Sequence, residues 1–249
     1  MEKRPYEDYR QLEEIHWWYV GRQKILSQLF QQEIVPRHNE RALDIGCGTG
    51  FCTRIVATVA DAVWCVEMAD EMIEMLKHKI TNVHIIQGLW PDVTVDQTFS
   101  LVTLFDSLEH IEDERAALKK IESVLEPGGV VVMTVPAFPF LWSEHDVISG
   151  HKRRYTKGSM EAAIGGATGL VILRLTYFNT LFFIPIVLVR LIKNALKVRK
   201  SRSDIFVLPT MLNSALAWLF GSEGTLLRWV NFPFGASLLC IAQKPPISK

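Results

Sequence analysis

The sequence predicts a doubly wound α/β sheet, and two observations carry that expectation. Short, nearly all-apolar segments alternate with amphipathic helical ones through the first half of the chain, and three glycines, in "RALDIGCGTGF", directly follow the first apolar segment. Strands that are apolar on both sides imply a parallel sheet covered on both faces by helices. At 249 residues, with 49% hydrophobic and 22% charged residues, the chain is long enough for one such domain with an appendage.

The first strand is expected at residues 42–45, "ALDI". Each glycine after it weakens a regular element by ~0.5–1 kcal/mol, so Gly46, Gly48 and Gly50 stand where bare backbone is needed. Ile55, Val56 and Val59 then fall at helical spacing and predict a helix over 53–60. A strand, a glycine turn and a helix start let backbone N–H groups approach a ligand closely. The second strand, 62–67, ends in Glu67 beside that turn, where a carboxylate of a nucleoside-binding sheet accepts hydrogen bonds from both ribose hydroxyls. Helices at 70–79 and 113–125 and strands at 82–87, 99–105, 129–135, 170–177 and 236–242 complete the pattern. The ligand crevice of such a sheet lies at the carboxyl ends of its strands.

Composition narrows the function. A net charge of zero gives no footprint for nucleic acid. Cys47, Cys52, Cys65 and Cys240 form no C-x-x-C pair, which argues against a disulfide framework or a zinc site and for a reducing, cytoplasmic setting. The charged start, "MEKRPYEDYRQLEE", shows no apolar leader segment.

From Arg41 to Ala137 the chain resembles the class I S-adenosylmethionine-dependent methyltransferases, small-molecule branch. "LDIGCGTG", "VWCVEMADEMIEMLK", "IIQGLW", "FSLVTLFDSLEHIED" and "LEPGGVVVMTVP" look like five of that family's elements in its order. A dinucleotide site would need its third glycine one residue later. The resemblance implies a Rossmann-like, mostly parallel seven-stranded sheet with an antiparallel last strand, and S-adenosylmethionine as cofactor. It implies that Asp44 serves the amino group of the cofactor's methionine part, directly or through water, with Gly46, Cys47, Gly48 and Gly50 as the approaching backbone. Met68 and Met72 would pack on adenine, and Gln87, Gly88 and Leu89 would reach its edge. Trp90 either stacks there or fills core.

The fourth strand's tip, Phe105, Asp106, Ser107, Glu109 and His110, falls where the transferring methyl should lie. His110 suits proton abstraction near neutral pH; its alternatives are shaping the pocket or capping a helix. Asp106, Glu109 and His110, at i, i+3 and i+4, would also share a helical face suited to a divalent cation, but no metal site is assigned. Downstream, "SEHDVISGHKRRYTKGSM" brings His145, His151, Arg153, Arg154 and Tyr155 to the substrate side. His151 and Tyr155 are the candidates for catalysis and the arginines for an anion clamp, against a structural reading with Thr156 as N-cap. At the N-terminus, Trp17, Trp18 and Tyr19 precede a helix that can fold over the cofactor, with Arg22 reaching the methionine carboxylate.

Three parts are expected: helical cap 1–39, cofactor-binding core 40–177 with 235–245, and a hydrophobic helical insertion at 178–234. The apolar run at 178–192 is broken by Pro185 and Arg190 and is too short to span a bilayer. Lys193, Lys197, Arg199, Lys200 and Arg202 follow it, with a hinge at 201–204. A substrate lid is the first reading of the insertion; peripheral membrane contact through 178–203 and a homodimer face are the others. The function expected is methyl transfer to a small or medium, hydrophobic or lipid-like acceptor, at oxygen because His110 and His151 flank the methyl position. An N-methyltransferase and a non-catalytic cofactor-binding protein are the alternatives. The segment "FDSL" offers no base-clamping tetrapeptide of the nucleic-acid methyltransferases.

Overall fold

The apolar segments pair in the order their alternation demands. The computed structural model describes residues 12–37, 39–195 and 208–247. Seven strands, β1 (Arg41–Ile45), β2 (Ala62–Glu67), β3 (Val83–Gln87), β4 (Phe99–Phe105), β5 (Leu125–Pro136), β6 (Val171–Phe178) and β7 (Ser237–Gln243), form one sheet of order β3-β2-β1-β4-β5-β7-β6. All neighbours pair in parallel except β7, which runs antiparallel to β5 and β6, as expected. Chain order reverses between β1 and β4, the switch point at whose carboxyl ends sheets of this kind hold their ligands.

Helices cover both faces. One face carries α1 (Trp17–Leu29), α2 (Thr53–Val56) and α3 (Asp70–Lys79), packed through Ile25, Leu29, Val56 and Leu76. The other carries α4 (Glu114–Val124) and, after the short α5 (Glu144–Ser149), α6 (Lys157–Ala167), packed through Leu118, Ile121, Met160 and Ile164. Each such side chain, fully buried, contributes about 1.5–3 kcal/mol. Thr156 caps α6, its hydroxyl accepting from Ser159 N, as its position predicts.

The strands match expectation to within a residue except β5, which begins at Leu125 instead of 129, and two helices end sooner than expected. The helix after the glycine turn is a single turn, Thr53–Val56, because Thr58 turns its hydroxyl onto the Ile55 carbonyl and the chain unwinds toward β2. That helix is too short for a dipole of consequence. The expected helix over 113–125 stops at Val124 because Leu125 already pairs with Phe99 as the first residue of β5.

After β6 come α7 (Phe183–Ala195) and α8 (Thr210–Leu227). Among the described residues no helix is long and apolar enough to cross a membrane. The basic Lys197, Arg199, Lys200 and Arg202 and the expected hinge lie outside the described residues, as does the side chain of Lys193. Helix α8 lies along α1 with almost no space between them. A Cβ on Gly21 would sit 2.6 Å from the ring of the fully buried Phe220, and one on Gly221 would sit 2.9 Å from Lys24.

Gly21→Ala therefore sets overpacking of about 1–3 kcal/mol against a helix-propensity gain of up to ~1 kcal/mol. The expected net result is a loss of about 1–2 kcal/mol in a urea unfolding curve; an unchanged or raised midpoint would show that the helix pair yields freely.

Candidate functional site

The glycine turn takes the conformation its residues permit. Gly46, Gly48 and Gly50 have φ of +70°, +55° and +80°, a region that other residues enter at a cost. A Cβ at Gly46 would strike Ser107 Oγ at 2.5 Å, whereas one at Gly48 would meet nothing within 4 Å, so the turn's outer face is open backbone. Glu67 closes the other side: Gly48 N donates to its Oε2 at 2.9 Å, and Met68 N and Ala69 N donate to its Oε1 at 2.8 and 3.0 Å.

Beneath the turn, Asp44 is 2% exposed and accepts from Thr53 Oγ1 at 2.6 Å and Thr103 Oγ1 at 2.7 Å, which joins β1, α2 and β4 at one carboxylate. Beside Glu67, Met68 and Leu89 are exposed and Met72 is half-buried. Gln87 Nε2 donates to Asp70 Oδ1 at 2.6 Å, and Gly88 N donates to the Glu67 carbonyl at 3.0 Å. Trp90 is core: its indole N–H reaches Ala117 O at 3.2 Å, so it cannot stack on a ligand.

At the tip of β4, Asp106 holds φ +53° and pairs with Arg22 at 2.7 Å. Arg22 is buried, donates also to Thr134 Oγ1 at 2.7 Å, and leaves its Nε without a partner. Burial is the largest influence and would lower its pKa, but Asp106 together with Cys52, Glu109 and Tyr19 outweighs it and raises the value. The expected helical face of Asp106, Glu109 and His110 does not form, because Leu108–His110 is one 3-10 turn and Asp106 faces Arg22. Instead, nitrogen and oxygen atoms of Glu109, His110 and His151 come within 4.8 Å of one another. Glu109 is fully buried with neither carboxylate oxygen hydrogen-bonded, and burial followed by the Asp106 charge pushes its pKa well up, toward the neutral acid.

The His151 loop hangs from this tip, Lys152 N donating to the Glu109 carbonyl at 2.8 Å. His151 Nδ1 lies 2.9 Å from Oδ1 of the fully buried Asp146, and its ring meets His110 edge-on with centroids 4.7 Å apart. Arg154 grips both Asp146 oxygens, at 2.7 and 3.0 Å. Burial would raise the Asp146 pKa, but hydrogen bonds from His151 and Arg154 hold it far below the usual carboxylate range. Partial desolvation and the His151 ring lower His110; burial lowers His145, whose ring is 6.1 Å from His151.

Residues 43–133 match the family model described as a methyltransferase domain. The chain carries a class I S-adenosylmethionine-dependent methyltransferase domain. Over 132 residues it is 27% identical to a ubiquinone biosynthesis O-methyltransferase of Xanthomonas campestris pv. campestris, covering 47% of this chain and 55% of that protein. Over 125 residues it is 29% identical to a demethylmenaquinone methyltransferase of Staphylococcus aureus, covering 47% and 52%. The chain thus spans about half the length of the curated relatives it matches. An S-adenosylmethionine-dependent methyltransferase structure from Clostridium acetobutylicum superposes with a TM-score of 0.58 at 12% identity, over 97% of this chain and 100% of that one, a likeness of fold.

The methyltransferase domain's crevice fits the cofactor: open backbone at Gly48, the Glu67 carboxylate beside it, and the unpartnered Arg22 Nε below. The N-terminal segment closes over the turn through Glu13–Lys79 at 3.1 Å, Glu14–Arg54 at 3.0 Å and Tyr19 against Phe51 at 6.1 Å. Cys47 and Phe105 are buried beneath. Two expectations are corrected. Tyr155 is not a base: it is 2% exposed and donates its phenol to Glu114 Oε2 at 2.7 Å, and burial with that bond pushes its pKa far up. Arg153 and Arg154 are not an anion clamp, since Arg153 serves the Glu112 carbonyl and Glu114 while Arg154 serves Asp146 and the Ala137 carbonyl. Asp146, Thr53 and Thr103, which hold the candidate residues His151 and Asp44, are ones that sequence reasoning missed. Only Asp146 carried a signal, as the third residue after an N-cap, Ser143, whose backbone N–H and hydroxyl it accepts.

Burial, partly offset by the two threonine hydroxyls, raises the Asp44 pKa from 3.8 to about 6. Between these values the folded domain holds a proton that the unfolded chain has lost, so stability falls as pH rises through that window, by up to about 3 kcal/mol. Asp44→Asn removes this component. The unfolding free energy of the wild type, relative to that variant, should drop by about that amount between about pH 4 and about pH 7; parallel curves would contradict it.

Proposed function

We propose that this chain transfers the methyl group of S-adenosylmethionine to a hydroxyl oxygen of a hydrophobic acceptor of phenol or hydroxyquinone type. The observation that carries it is the His151–Asp146 pair at the tip of β4. A buried, ionised Asp146 accepts the Nδ1 proton of His151 and leaves the other ring nitrogen as the basic one. Asp146 thus acts as a positioning residue for the base.

When bound, S-adenosylmethionine supplies a methyl group activated on a sulfonium. Glu67 takes the ribose hydroxyls; the backbone of Gly46, Cys47, Gly48 and Gly50 borders the methionine part; and Arg22 receives its carboxylate. Asp44 stabilises the turn from below and serves the amino group directly or through water, each of its oxygens keeping acceptor capacity beside one threonine hydroxyl. Met68, Met72, Gln87, Gly88 and Leu89 line the adenine, while Phe105 and Asp106 lie near the methyl. With that methyl group supplied, His151 would take the acceptor's hydroxyl proton so that the oxygen could accept the methyl while the sulfonium leaves as a neutral thioether. Asp146 then stabilises the imidazolium. His110, with a lowered pKa, stays neutral beside it. The N-terminal cover with Tyr19 excludes water while the sulfonium loses its charge.

The acceptor's character is supported by its surroundings and by the relatives. Phe138 meets Phe140 at 5.2 Å and Phe183 at 5.5 Å, an aromatic wall beside Tyr155, whose carbonyl accepts from Phe138 N at 2.8 Å. Two relatives are named for ubiquinone biosynthesis and for demethylmenaquinone, both quinone chemistry.

The test is methyl transfer from labelled S-adenosylmethionine to a panel of catechols and prenylated hydroxyquinones, with matched amines alongside. His151→Asn should lower kcat about 10²–10⁴-fold with cofactor affinity unchanged by calorimetry. Glu67→Ala should weaken that affinity roughly 10–100-fold, the worth of hydrogen bonds to a charged acceptor. Methylation of amines alone, or full turnover in His151→Asn, would overturn the oxygen reading.

A further inference from the structure

The outer faces of α7 and α8 are apolar where water-facing helices carry charge. On α7 the exposed residues are Ile184, Pro185, Leu188, Val189 and Ile192, while Arg190 points inward to Asp146 and the Leu141 carbonyl. On α8 the inner stripe, including Ala217, Phe220 and Gly224, is spent on α1 and the sheet. Its outer stripe shows Met211, Trp218 and Leu226, with Trp229 just beyond the helix end; Met211, Trp218 and Trp229 are 88%, 69% and 77% exposed. The one charged residue between Thr210 and Leu227 is Glu223, which is fully buried and accepts from Thr180 N and Leu181 N. An eighteen-residue helix therefore exposes no charged group, and apolar exposure of this extent marks an interaction surface.

Charge selects the occupant. In the sequence, Lys193 near the end of α7 is followed by Lys197, Arg199, Lys200 and Arg202, with no acid up to residue 202, in a chain whose net charge is zero. At the far end of α8, Arg228 lies over the Trp229 ring at 5.2 Å. Along the sequence the apolar stretch of α8 is thus preceded and followed by cations, and it carries tryptophans whose rings suit a boundary between oil and water. A basic run of this kind in the sequence favours an anionic surface over a second copy that carries the same run. No described helix is long enough to span a bilayer, so a surface mode remains. We propose that the exposed faces of α7 and α8 dock this chain on a bilayer surface rich in anionic lipid, with Trp218 and Trp229 entering the headgroup boundary.

This docking does not depend on which acceptor the domain methylates. The test is co-sedimentation of the full chain with vesicles of mixed phosphatidylglycerol and phosphatidylcholine, against phosphatidylcholine alone. The chain should pellet with the anionic vesicles and dissociate at high salt. The double variant Trp218→Ser, Trp229→Ser, whose sites are exposed, should partition at least tenfold more weakly while keeping the wild-type unfolding midpoint and cofactor affinity. Failure to bind anionic vesicles, or equal binding by the double variant, would overturn the proposal. So would a wild-type dimer in solution that the double variant converts to a monomer, which would assign these faces to a second copy.

Discussion

A single buried carboxylate organises the crevice. Asp44 sits in the middle of the sheet's switch point, and the hydroxyls of Thr53 and Thr103 both donate to it, so the strand before the glycine turn, the helical turn after it and the neighbouring β4 are held to one point. Taking an acid out of water is costly unless it is hydrogen-bonded, and the two hydroxyls meet that cost only with all three elements in place. The turn above is consequently held in register with the tip of β4, where Gly46 passes so close to Ser107 that no side chain fits.

The far wall is organised by a second carboxylate. Asp146 caps its own helix, takes two bonds from Arg154 and orients His151, and Arg154 carries the link on to the Ala137 carbonyl at the end of β5. His151 therefore sits on a loop that is fixed at both ends: to Asp146 by side chain and backbone, and to the tip of β4 through Lys152 N and the Glu109 carbonyl. The base proposed here lies on a loop, and a network of this kind is what would hold its geometry. The same rigidity explains why the tyrosine and the two arginines nearby have no capacity left for a ligand.

Features set by local pattern were legible in the sequence. The strands, the glycine turn and the acid at the end of β2 follow from period, composition and position, and the structure puts Glu67 against Gly48 as that spacing implies. Features set by distant partners were not. Tyr155 looked like a base because its partner Glu114 lies 41 residues away, and Arg154 looked like an anion clamp because nothing local marks Asp146 as its counter-ion. The extent of α8 was hidden for another reason: a helix with apolar residues on both its inner and outer sides has no period to detect. Its inner side answers to α1, nearly two hundred residues earlier in the chain, where Asn213 accepts from Trp17 N at 2.9 Å.

The most direct test of this arrangement is a crystal structure of the protein with S-adenosylhomocysteine. The ribose hydroxyls should lie within hydrogen-bonding distance of the Glu67 carboxylate, the methionine part along the backbone of Gly46 to Gly50, and the sulfur turned toward His151 and the tip of β4. A product bound away from the glycine turn, or one whose sulfur faces away from His151, would contradict the assignment of both the cofactor cradle and the base.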